Sequence, residues 1–109
     1  MQGKKNQIIN SEESATYQRE IELKEFTIIL KRAILDWEDK MREQSKYFDG
    51  FDELSILVGL HPQTIRKFTN SMNPEFPKLN QLLAICNSIG DFKPIEYFYD
   101  FANLIRNNK

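Results

Sequence analysis

One cysteine, Cys86, and one histidine, His61, stand in this chain of 109 residues. A single thiol cannot close an internal disulfide, and one thiol with one imidazole is too small a donor set for a dedicated transition-metal site. No metal site and no cofactor are therefore expected. Charge of one sign is missing too: 15 lysines and arginines stand against 16 aspartates and glutamates, for a net charge of −1. Bulk cationic attraction to nucleic acid or membrane is thereby excluded, whereas a basic patch on one face is not. Long apolar runs are absent. The most apolar stretch, FTIILKRAIL, contains Lys31 and Arg32 and is too short to span a bilayer. The opening segment, MQGKKNQIINSEES, has positive charge but no apolar core after it, so no secretory leader is expected. A cytoplasmic protein with a reduced thiol and no membrane association is the reading.

The means of catalysis are scarce as well. There is no Ser/His/Asp set with a plausible third member, no Gly-rich phosphate loop and no metal-ligand cluster. The carboxylate pairs Glu12–Glu13 and Asp52–Glu53 fall in exposed or helix-start contexts, where solvation and the helix dipole account for them. The chain does not read as an enzyme.

What is present is helical periodicity. Residues 1–16 are polar, lack a repeat and read as a flexible N-terminal arm; residues 17–109 read as one helical domain. From about Tyr17 to Ser45 there is no Gly or Pro. Phe26, Leu30, Ala33, Trp37 and Met41 recur there at spacings of three or four, which defines one helical face. Ile21, Ile28 and Leu35 fall on a second azimuth, so the apolar arc is wider than one core contact needs and a partner surface is expected. A second helix spans about Phe51 to Val58, with Leu54, Leu57 and Val58 inward. Asp49, Asp52 and Glu53 suit its positive N-terminal end, and Gly59 its left-handed cap. Pro62 suits the first turn of a third helix, which runs to about Asn70 with Ile65, Phe68 and Met72 on one side. A Pro-punctuated loop, SMNPEFPK, leads to a fourth helix, about Leu79 to Ile89, with Leu79, Leu82, Leu83, Cys86 and Ile89 inward and Gly90 at its end. A fifth helix runs from Pro94 towards Arg106. Its aromatic run Tyr97, Phe98, Tyr99, Phe101 cannot all face one core. No alternating strand pattern of useful length occurs, and the fold class is all-α.

The stretch ELSILVGLHPQTIRKFTN, within a motif at about 51–70, carries the functional information. A helix, a Gly-centred turn and a second helix are the parts of a helix-turn-helix. With Ile65 and Phe68 pointing inward, Gln63, Arg66, Lys67 and Asn70 share an outward arc of about 100°. An amide, a guanidinium fork and an ammonium are the groups that pair with base edges and phosphates. No acid occurs between Leu54 and Pro74, so the local field is positive where a groove would be met. An ordinary solvated helix face is the plain alternative.

Glu53 to Gly90 resembles the phage lambda repressor-like helix-turn-helix family, also called XRE-type regulators. The resemblance rests on the leucine–small pair Leu54–Ser55, on Gly59–Leu60, on QTIRKF as recognition helix, and on PKLNQLLAICNSIG as the helix that follows. It implies a five-helix domain, here with an extended N-terminal helix, that binds double-stranded operator DNA as a homodimer. It further implies base-facing positions at Pro62, Gln63 and Lys67, and base or phosphate contacts at Thr64 and Arg66. Four features depart from the family pattern: His61 replaces a small hydroxyl cap, Phe51 replaces a polar phosphate-gripping residue, Asp49, Asp52 and Glu53 bring negative charge to the motif entrance, and Thr69 replaces a common Glu. Two functional classes follow. One is a sequence-specific transcriptional regulator, a repressor. The other is a helix-turn-helix interaction module with a protein partner, such as an adaptor, an antitoxin-like protein or an antirepressor.

Overall fold

The computed structural model describes the backbone of residues 23–107 and the side chains of residues 23–100. The expected arm over 1–16, the helix upstream of residue 23 (with Ile21) and the Phe101 side chain lie outside the described residues. Five α-helices and no strand are found among the described residues: α1 through residues 23–42, α2 Gly50–Val58, α3 Pro62–Phe68, α4 Leu79–Ile89 and α5 Lys93–Asn107. The all-α, five-helix expectation holds. No helix among these residues is long and apolar enough to cross a membrane.

One core joins the first four helices. Phe26, Leu30, Ala33 and Ile34 of α1 meet Leu54 of α2, Ile65 and Phe68 of α3, and Leu82, Ile85, Cys86 and Ile89 of α4. Ile95, Tyr97 and Phe98 of α5 close over it with Trp37, Phe51, Leu60 and Phe76. Burial raises the Cys86 thiol to about 11, so at neutral pH it is a protonated core group rather than a nucleophile.

Several residues expected inward are exposed. Leu57, Leu79 and Leu83 face solvent, and Met72 is 90% exposed beyond the end of α3. On α4 the buried set is Leu82, Ile85, Cys86 and Ile89, which spans an arc of about 100° at helical spacing. Ile85 completes that arc and Leu83 falls beside it. On α2 the single side chain driven fully inward is Leu54.

The connection from α1 to α2 is held by polar groups. The backbone N–H of Gly50 donates to Glu38 Oε2 at 2.6 Å. Glu38 is 8% exposed and pairs with Arg42 at 3.4 Å, one turn along α1. Arg42 Nε in turn donates to the Phe48 carbonyl at 2.8 Å, while the Phe48 ring meets Trp37 edge-on at 5.1 Å. A Cβ on Gly50 would come within 3.0 Å of both Cβ and Oε2 of Glu38. Glycine at this position allows a close approach of the Glu38 side chain, and no unusual φ is involved.

Glu38→Ala removes a charge-assisted bond at the start of α2 and should cost roughly 1.5–3 kcal/mol of folding stability. Gly50→Ala should also destabilise, by roughly 1–3 kcal/mol, although alanine favours helices. Urea denaturation of both variants tests this, and parent-like midpoints would mean that the Glu38–Gly50 contact does not anchor α2.

Candidate nucleic-acid interface

The reversal between α2 and α3 takes three residues, Gly59, Leu60 and His61. Gly59 adopts φ 71°, ψ 31°, the left-handed cap expected from its position. Its N–H and that of Leu60 both donate to the Ser55 carbonyl, at 2.9 and 3.1 Å. Leu60 then packs on the core and sets the entry of the next helix.

His61, which departs from the family pattern, nevertheless caps α3. Its Nδ1 accepts from the Gln63 N–H at 3.1 Å, and Pro62 occupies the first turn, where no N–H is needed. The helix has only seven residues, Pro62–Phe68. It ends two residues short of the expected boundary at Asn70. The Thr69 hydroxyl and N–H both donate to the Arg66 carbonyl, at 3.0 and 3.1 Å, and that local capping stops the helix.

Ile65 and Phe68 press this short helix onto the core at 0% and 4% exposure. Gln63, Arg66 and Lys67 are exposed on its outer side, with Pro62 and Thr64 half-buried on the flanks. Asn70 is exposed as well, but it lies past the helix, where its Oδ1 accepts from the Met72 N–H at 3.0 Å. Of the six side chains expected to contact DNA, five are thus on α3 and the sixth is on the loop behind it.

Phe51 has a role that its sequence position did not suggest. Its half-buried ring lies beneath the Arg66 guanidinium, 5.4 Å from centroid to Cζ. That cation–π contact holds the guanidinium over the ring while the Arg66 side chain stays exposed. Asp49, one of the acids at the motif entrance, accepts from the N–H groups of Phe51 and Asp52, at 3.1 and 3.2 Å, as the α2 cap. Asp52 and Glu53 occupy the first turn of α2, where the helix dipole favours them.

The loop after α3 brings further residues next to Lys67 and Asn70 that the sequence did not single out. Phe76 stacks against Phe26 and Phe98, with centroids 4.7 and 5.5 Å apart, and Pro77 is buried. Asn73, Pro74 and Glu75 are thereby brought beside Lys67 and Asn70 around a common recess. No local signal marks these loop positions; only the Phe76 anchor brings them there. No group of three or more potential metal ligands occurs among the described residues.

Space is open around Gly59, where an added Cβ would meet nothing within 4 Å. Substitution there is opposed by the backbone alone, at roughly 1–2 kcal/mol for a left-handed L-residue. Thermal melting should therefore rank Gly59→Asn above Gly59→Ala, and Gly59→Val lowest, because asparagine tolerates this region and a β-branched residue does not. A Val variant melting with the parent would show that the turn can be made without this conformation.

Against known proteins, the chain matches no family model, no curated protein and no solved structure.

Proposed function

We propose that this protein is a sequence-specific DNA-binding transcriptional regulator, a repressor that inserts α3 into the major groove of operator DNA as a homodimer and so occludes a promoter. The observation that carries this reading is the outer face of α3. Gln63, Arg66 and Lys67 stand exposed together on a helix whose other side is locked by Ile65 and Phe68, and no acid occurs from Leu54 to Pro74. A capped helix on a rigid core presents such groups with little ordering cost. The Gln63 amide is suited to adenine N6 and N7, while Lys67 and Arg66 are suited to guanine or phosphate. The resemblance to XRE-type regulators supports the same assignment.

One observation favours the second reading, an interaction module of the same architecture. Ile56 is 75% exposed, Leu57 53% and Met72 90%, all within or just after the motif. Apolar groups at such exposure suit a protein partner as readily as a second copy of the chain.

Gln63→Ala should weaken binding to the preferred duplex by roughly 1–3 kcal/mol and binding to random duplexes much less, because a bidentate amide discriminates bases. Equal losses on both duplexes would assign Gln63 a nonspecific role.

The dependence on salt separates the two classes. Counterion release adds about 0.9 to the slope of log affinity against log salt for each phosphate neutralised. With Arg66 and Lys67 on each half-site, and Lys78 after the loop as a third where it reaches backbone, a homodimer makes roughly four to six cationic contacts and should give a slope of about −4 to −5, shallow for a repressor. Arg66→Ala should flatten it by up to about two while hardly changing sequence preference. Titration of one duplex at several salt concentrations, with the mass of the free protein measured alongside, checks both parts. A slope near zero, or a clean monomer at micromolar concentration, favours the interaction module.

A further inference from the structure

Two recesses adjoin between α1 and the turn from α4 to α5. Ile28, Ile29 and Arg32 line one, of about 250 Å³. Trp37, Lys40 and Phe92 line the other, of about 480 Å³. Both are bounded by Ala33, Asp36, Asp91 and Lys93, so they form one continuous groove along a flank of α1. Ile28 is 57% exposed and Phe92 47%, which leaves apolar surface in the groove uncovered.

The α1 side of this groove has a regular order. Ile28, Arg32, Asp36 and Lys40 all line it and are spaced by four. They form a single ridge of the kind that packs into the grooves of a second helix. Arg32, Asp36 and Lys40 are exposed, and none is in an ion pair among the described residues. On the other wall Asp91 and Lys93 satisfy each other at 3.1 Å, whereas Glu96 is unpaired. Two cations and two acids are thus free. A partner carrying one sign of charge would meet a like charge as often as an opposite one.

A second copy of the chain avoids that conflict. A two-fold axis makes residue i of one copy face residue j of the other, and j face i. With antiparallel helices and the axis midway between Arg32 and Asp36, each Arg32 faces the other copy's Asp36. Each Lys40 then faces Ile28, on which its four-carbon stem can lie. The ridge read backwards complements itself, and one operation forms both Arg–Asp pairs. Gln63, Arg66 and Lys67 line neither recess, so this face does not compete with α3 for a ligand.

Taking up the homodimer of the reading above, we propose that this groove is the dimer interface. Its occupant is α1 of a second copy, running antiparallel and joined by reciprocal Arg32–Asp36 pairs.

Sedimentation of the full chain, of Arg32→Asp, of Asp36→Arg and of the double exchange R32D/D36R tests this. The parent should be a dimer at about ten micromolar. Either single variant sets like charges against each other and should weaken self-association roughly tenfold or more. The double exchange should restore it. An equal mixture of the two single variants should also dimerise, because one copy then offers two cations and the other two acids. Both positions are exposed, so circular dichroism should show parent-like helix content in every variant. If the single variants dimerise as the parent does, the copies meet elsewhere; the groove is refuted and the homodimer stands. Weakening that neither the exchange nor the mixture reverses refutes the reciprocal pairing. If the parent is a monomer throughout, interface and homodimer fail together, while selection of bound duplexes decides DNA binding separately.

Discussion

The bond from the Gly50 N–H to the buried Glu38 carboxylate holds α2 at one angle to α1, and the outward face of α3 depends on that angle. A carboxylate out of water is costly unless its oxygens are satisfied. Here one oxygen accepts at the positive end of α2 and the other meets Arg42. The same arginine grips the Phe48 carbonyl, so one side chain ties the inter-helix loop to the charge that positions the next helix. A side chain at position 50 would crowd the Glu38 side chain. The polar joint and the apolar core agree on one geometry, and Leu54 is fully buried one turn after the joint.

From that joint the chain runs into a helix too short to be stable alone. Seven residues are well below what an isolated helix needs in water. It persists because His61 caps its start, Thr69 closes its end, and Ile65 and Phe68 bury its inner side. Its outer surface exposes Gln63, Arg66 and Lys67. Phe51 supports this face from α2, its ring lying under the Arg66 guanidinium.

The acids around the motif have distinct duties. Asp49 caps α2, and Asp52 and Glu53 sit in its first turn. Their stabilising role is local, and they still make the approach to a polyanion less favourable on that side. Basic groups on α3 and acids at the start of α2 thus stand on consecutive helices of a chain whose net charge is −1. Ile56, Leu57 and Met72 add exposed apolar surface within and just after the motif.

Short-range chemistry made much of the fold legible in the sequence. A left-handed cap needs a residue without a Cβ penalty, so Gly59 and Gly90 mark the ends of α2 and α4, and both have φ 71°. Apolar spacing of three and four found α1, α4 and the inner side of α3, because side-chain direction repeats with the helix. The clustering of Gln63, Arg66 and Lys67 follows from the same geometry. Periodicity could not choose among several leucines on an arc wider than the contact, so Ile85 rather than Leu83 is buried on α4. Nor could it foresee that Thr69 would end α3 before Asn70 by bonding back to Arg66. The contacts decided by tertiary structure alone join separate segments: Glu38 with Gly50, 12 residues apart, Phe51 with Arg66, and Phe26 with Phe76. Local sequence specifies which helices form and which way their side chains point. Where two such surfaces meet depends on the path of the chain between them, and only the packed core defines that path.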